Sequence, residues 1–127
     1  MVQTTHVNLA PANLQTNFIL EFEQINIHDI PRVGGKNASL GEMIQQLTPQ
    51  GVRVPTGFAT TAYAYRYFIE QAGLETQLRS HLTNLDTEDV TALRQSGRAV
   101  RSLILDTPFP AELETAIAQA YRSLCTS

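Results

Sequence analysis

The spacing of apolar positions predicts a chain of helices with little sheet. In the run NFILEFE, Phe18, Leu20 and Phe22 alternate with other residues, the period of a short half-buried strand. Downstream the period lengthens. Leu40, Met43, Ile44 and Leu47 share one helical face, and Pro49 and Gly51 end that helix. Ser39 and Glu42 fit a capping box at its start, with Asn37 as a competing N-cap. The preceding stretch 30–39, IPRVGGKNAS, reads as a loop because of Pro31 and the Gly34-Gly35 pair. Pro55 and Gly57 limit residues 52–60 to short edge strands or an extended turn.

Four further helical segments follow. Thr60 or Thr61 caps the first, whose buried stripe is Ala64, Phe68 and Ala72 and whose stop is Gly73. A short helix covers 75–82. Asp86 or Thr87 caps a longer one carrying Val90, Leu93, Gly97, Val100 and Ile104 at alternating spacings of three and four. Pro110 suits the first position of a last helix with Leu113, Ile117, Ala120, Tyr121 and Leu124 on its apolar face. Residues 1–17 are rich in Gln, Thr and Asn, lack periodicity, and read as a flexible leader. About five helices and two or three short strands predict a helix-rich α+β fold over 18–127. So few strands do not make a self-sufficient sheet, so the expected unit is a subdomain whose sheet is completed elsewhere.

Composition narrows the class. The 127 residues suffice for one domain with its own core, and 43% hydrophobic content excludes a disordered or fibrous chain. Nine basic and 12 acidic residues give a net charge of −3, which argues against nucleic acid as partner. No apolar run approaches a membrane span, no secretory signal is visible, and the single cysteine, Cys125, cannot form an internal disulfide. A cytoplasmic protein without membrane contact is the expectation. Eight of the nine basic residues are arginine; the one lysine, Lys36, follows the two glycines.

That loop is the best candidate for chemistry. Glycines free the backbone to present N–H groups, and a helix start adds unpaired donors and the positive end of the helix dipole. Such a site favours phosphate, and Lys36 adds a point charge. It is not a Walker A loop, since Ile30 stands where the first Gly belongs and Asn37 where Ser or Thr would hold magnesium. The competing reading is a Gly-Gly turn before a surface lysine. Elsewhere structural readings prevail. His6, His28 and His81 lack metal-ligand spacing, Asp86, Glu88 and Asp89 suit a helix start, and Cys125 reads as partly buried and inert. Asn37-Ala38-Ser39 fits the glycosylation pattern by coincidence. Tyr63, Tyr65 and Tyr67 cannot share one helical face, so at least one is exposed; core packing is favoured over stacking on an adenine. Arg94, Arg98 and Arg101 lie on one helix side and read as a solvated face rather than an anion site.

Three blocks carry a resemblance: VGGKNASLGEM at 33–43, GVRVPTGFATTAYAYRYF at 51–68 and DTPFPAELE at 106–114. They are similar, in the same order, to the opening of the nucleotide-binding domain of the phosphoenolpyruvate synthase (pyruvate, water dikinase) family, and the likeness spans roughly residues 18–124. Pyruvate phosphate dikinase and rifampin phosphotransferase share the Gly-Gly-Lys loop and the P-x-G-F segment. The resemblance implies the first part of an ATP-grasp-type domain that binds MgATP. In the family, ATP phosphorylates a histidine on a separate domain, releasing AMP and phosphate, and the phosphohistidine converts pyruvate to phosphoenolpyruvate. It implies that Lys36 contacts the ATP phosphates, with Gly34, Gly35, Asn37 and Ser39 around it and Asn37, Ala38 and Ser39 offering backbone N–H groups. It also implies that the catalytic residues, magnesium ligands and pyruvate site belong to the remainder of a longer parent chain, leaving this piece inactive by itself. The alternatives are a stand-alone non-catalytic binding domain, or a related dikinase with another acceptor.

Overall fold

A strand candidate around Leu20 needs a partner, and residues 52–60 offer short strands just before the helix capped at 60–61. In the computed structural model, which describes residues 16–126, these two segments pair. Strand β1 (Ile19–Glu21) runs antiparallel to β2 (Phe58–Thr60), with Leu20 opposite Ala59 and Glu21 opposite Phe58. The sheet places Leu20 and Ala59 on one face, both buried, and alternation leaves Glu21 and Thr60 outside. The leader lies almost wholly outside the described residues, as does His6.

The described residues fall into two structural units, one ending at Ala64 and one beginning at Tyr65. In the first, 3-10 turns at Phe22–Gln24 and Ile27–Asp29 lead into α1 (Ile30–Val33) and α2 (Gly35–Leu47), and a third turn covers Thr48–Gln50. The expected loop over 30–39 is thus mostly helix. Pro31 sits in the first turn of α1, where its missing N–H costs nothing, so it starts a helix rather than preventing one.

Helix α2 buries a different face from the one its large residues predict. Ala38, Gly41 and Ile44 are buried, while Met43 is exposed and Leu40 and Leu47 are half-buried. The cause is close backbone approach. A Cβ on Gly41 would sit 2.3 Å from the Ile25 carbonyl oxygen and 2.7 Å from its Cβ. Ile25 is completely buried there. Two polar side chains that follow Gly41 fasten the same contact. Gln45 donates from Nε2 to the carbonyl oxygens of Ile25 (2.7 Å) and Glu23 (3.3 Å), and Glu42 Oε2 accepts from the Ile27 N–H (3.1 Å). Leu20, Ile25, Val33, Ala38 and Ala59 form the core, with Phe22 packed against it.

Helix α3 (Ala62–Gln71) begins at Thr61, whose Oγ1 accepts from the Ala64 N–H (3.1 Å) and donates to the Asn17 carbonyl (2.6 Å). The second unit contains the rest of α3, then α4 (Glu75–Leu82), α5 (Val90–Leu105) and α6 (Ala111–Thr126). Its buried residues are Phe68, Leu74 and Leu113, and Phe109 meets Phe68 edge-on at 5.6 Å. Tyr67 donates its hydroxyl proton to Glu112 (2.9 Å). The cap of α5 is Asp89, whose Oδ1 accepts from the N–H groups of Thr91 and Ala92 (both 3.0 Å), not Asp86 or Thr87. Asp86 closes a local turn by accepting from the Glu88 N–H (2.9 Å). The fold is α+β and helix-rich, as expected: five longer helices, the single turn α1 and a two-stranded sheet among the described residues.

The Gly41 contact yields a direct test. Gly→Ala inside a helix normally adds up to about 1 kcal/mol of stability. Here the added methyl overlaps the Ile25 backbone, so Gly41→Ala is expected to cost about 1–3 kcal/mol instead. Urea unfolding followed by the amide signals of Leu20 and Ile25 measures the sign.

Candidate functional site

The break between α1 and α2 is a single residue, Gly34, at φ 81° and ψ 162°. This combination is essentially confined to glycine, because a Cβ would clash with its own backbone. Two hydrogen bonds fix the break. The Gly34 N–H donates to the Ile30 carbonyl (2.9 Å), closing α1, and Asn37 Nδ2 donates to the Val33 carbonyl (2.8 Å). Asn37 therefore ties the first turn of α2 to the last carbonyls of α1.

With Gly34 as N-cap, no side chain caps α2. The Ala38 N–H bonds back to the Gly34 carbonyl (3.0 Å), and later N–H groups follow the helical pattern. The donors left over at the helix start are those of Gly35, Lys36 and Asn37. This corrects the expected set: Ala38 and Ser39 do not offer free N–H groups, and neither Asn37 nor Ser39 is the N-cap. The capping-box reading of Ser39 and Glu42 fails for the same reason. Glu42 accepts from Ile27 and Gln46 instead, from a position well inside the helix.

Gly34, Gly35, Lys36 and Ser39 are exposed, Asn37 is half-buried and Ala38 is fully buried. Ser39 stands one turn above Gly35 on the same face. Among the described residues Lys36 forms no ion pair, whereas Arg32, four residues earlier, is held by Asp29 at 2.8 Å. Gly35 has no conformational need to be glycine: its φ is not left-handed, and a Cβ there would meet nothing within 4 Å. The arrangement is an open cradle: three unpaired backbone donors, the positive end of a 13-residue helix and one mobile cation. A shallow trough of about 530 Å³ lined by Thr48, Val52, Arg53 and Pro55 is at the other end of α2, roughly 20 Å away at 1.5 Å per residue.

The other candidates remain apart from this cradle. His28 and His81 are exposed, and the described residues contain no group of three His, Cys, Asp or Glu side chains placed to hold a metal. Tyr63 stacks on Phe18 (5.5 Å between centroids), Tyr67 serves Glu112, and Tyr65 is the exposed member of the three. Arg94, Arg98 and Arg101 are exposed along α5. Cys125 is exposed rather than partly buried, because α6 buries only Leu113. Sequence reasoning passed over Gly41 and Gln45, which position α2; the one available signal was a glycine in the middle of an otherwise strong helical pattern.

Comparison with known proteins bears on what the cradle holds. Residues 30–127 match the family described as "Pyruvate phosphate dikinase, AMP/ATP-binding domain". The chain is 57% identical over 125 residues to the phosphoenolpyruvate synthase of Synechocystis, a match covering 98% of this chain and 15% of that protein. It is 52% identical over 108 residues to the phosphoenolpyruvate synthase of Neisseria meningitidis serogroup B, covering 85% of this chain and 14% of the relative. Against the phosphoenolpyruvate synthase of Escherichia coli K12 the identity is 47% over 112 residues, covering 88% and 14%. The chain thus spans about 15% of the length of these relatives. Gly34, Gly35 and Lys36 fall inside the matched segment, and the chain belongs to the pyruvate phosphate dikinase AMP/ATP-binding domain family.

Proposed function

We propose that the chain is the opening part of the ATP-binding domain of a phosphoenolpyruvate synthase, and that the start of α2 receives the ATP phosphates. The observation that carries this reading is the uncapped start of α2 beside the chain's one lysine, inside a segment belonging to an ATP/AMP-binding family. Gly35, Lys36 and Asn37 would donate backbone N–H groups to phosphate oxygens. The Lys36 ammonium would stabilise charge developing on the ATP phosphates during transfer, an electrostatic role that needs no proton transfer. Gly34 sets the turn, Gly35 leaves room for phosphate against the backbone, and Ser39 flanks the approach one turn higher. Asn37 holds the cradle to α1.

The wider reading follows the relatives. The parent would be a cytoplasmic enzyme that uses ATP, pyruvate and water to give phosphoenolpyruvate, AMP and phosphate through a phosphohistidine. The domain would be of ATP-grasp type, with 18–127 as its N-terminal subdomain. Magnesium accompanying ATP would take its protein ligands from parts of the parent outside this chain, as would pyruvate its binding groups. By itself the chain would bind nucleotide weakly and transfer nothing.

Two measurements test the site. Titrating the chain with MgATP in a two-dimensional amide spectrum is expected to shift signals at 34–40, and Lys36→Ala to abolish the shifts. Shifts confined to other residues, or unchanged by the substitution, would overturn the assignment. In the full-length parent, loss of this one cation is expected to lower kcat/KM by about 10²–10³.

The two neighbouring glycines separate fold from function. Gly34→Ala is expected to cost about 1–3 kcal/mol in thermal unfolding, because it strains the turn. Gly35→Ala is expected to leave stability equal or raised by up to about 1 kcal/mol. It should nonetheless weaken MgATP binding about tenfold, the equivalent of roughly one charge-assisted hydrogen bond.

A further inference from the structure

One residue, Gly34, separates α1 from α2, and one side chain bridges them. The Asn37 amide donates from Nδ2 to the Val33 carbonyl (2.8 Å), the last residue of α1. The same asparagine carries one of the three backbone N–H groups that the start of α2 leaves unpaired. It therefore joins the support of the cradle to the cradle itself. The bond also has a direction. An amide nitrogen can donate to a carbonyl, whereas a carboxylate oxygen can only accept.

Helix electrostatics alone would favour an acid at this position. Asn37 is the third residue of α2, where a carboxylate lies near the positive end of the dipole and near donors without partners. Other helices of the chain use that gain: α4 and α6 carry glutamates in their first turns, and Asp89 caps α5. At the start of α2 there is none, and the carboxylates nearest in sequence are engaged elsewhere. Asp29 accepts from Arg32 (2.8 Å) and from the Asn26 N–H (3.0 Å). Glu42 accepts from the Ile27 N–H (3.1 Å) and from Gln46 (3.3 Å).

We propose that Asn37 is a positioning residue of the phosphate site, and that the position requires a neutral donor. The amide braces α2 against α1 without bringing a negative charge to the free N–H groups. An aspartate of the same shape would lose the bond to Val33 and stand beside those groups as a tethered competitor of phosphate. The inference rests on the nucleotide reading and adds to it a requirement on charge at one position. A purely structural asparagine has a different consequence, because binding would then follow stability from variant to variant.

Asn37→Ala and Asn37→Asp separate the two roles. Both lose the bond to Val33, but the aspartate gains from the dipole, so its melting temperature is expected at or above that of the alanine variant. Affinity for MgATP, followed by the amide signals at 34–40 of the 127-residue chain, is expected to run in the opposite order. Asn37→Ala should weaken binding about threefold, the loss of one neutral hydrogen bond. Asn37→Asp should weaken it about 10–100-fold, the effect of a like charge about 5 Å from phosphate in partly screened surroundings. Far-UV circular dichroism verifies that both variants fold. A wild-type chain whose signals at 34–40 do not move with MgATP would overturn the nucleotide reading and this inference together. A wild type that binds, with Asn37→Asp binding as tightly as Asn37→Ala, would overturn this inference alone. So would affinities that fall in step with melting temperature across the two variants.

Discussion

The first unit depends on one approach of backbone to backbone, where α2 meets the chain at Ile25. Gly41 permits it, and Gln45 and Glu42 fasten it by bonding backbone groups of residues 23, 25 and 27. The neutral bonds from Gln45 contribute roughly 0.5–1.5 kcal/mol each, and leaving the Ile25 carbonyl buried and unpaired would cost more than that. The contact also fixes the axis of α2, and hence the direction in which its first N–H groups point. With glycine at the N-cap, a helix start without a capping side chain forgoes a few tenths of a kcal/mol. The clamp two to three turns further along supplies the holding force that a cap would otherwise provide, and it does so without occupying the donors.

That division of labour explains which parts of the fold were legible in the sequence. The alternation around Leu20, the stripe of Ala64 and Phe68, and the stop at Gly73 each express a local rule, and each element formed where the rule placed it. The face of α2 was not legible. Periodicity weighs large apolar residues, so it selected Leu40, Met43, Ile44 and Leu47, whereas a contact governed by closeness selects Ala38 and Gly41. Caps shifted for a related reason. Asn37, Ser39, Asp86 and Thr87 all have side chains able to cap, and sequence alone does not decide among neighbouring candidates. Backbone geometry decided for Gly34 and Asp89.

The candidate site was legible as a place and illegible as an arrangement. Two glycines and a lysine at a helix start suggest a phosphate site, but the pair looks symmetrical on paper. In the structure the glycines do unlike things: Gly34 adopts a backbone conformation that side chains forbid, while Gly35 adopts an ordinary one and leaves space. The free donors begin one residue after the turn, not three, because Gly34 rather than Asn37 ends the non-helical segment.

On the proposed reading, a lysine at position 36 suits the same geometry. Arginine outnumbers lysine eight to one in this chain, so the residue at 36 departs from the chain's own habit. A guanidinium presents a rigid fork suited to a fixed, bidentate anion, whereas an ammonium is a compact charge on a flexible stem. The backbone donors of Gly35, Lys36 and Asn37 are already fixed by the helix, so a second rigid element would add direction where direction exists. On the proposed reading, what the cradle lacks is a charge able to follow a phosphoryl group as it moves away from the nucleotide. A lysine that is exposed and makes no ion pair among the described residues supplies that. Arg32, close by in sequence, is already committed to Asp29 and serves α1 instead.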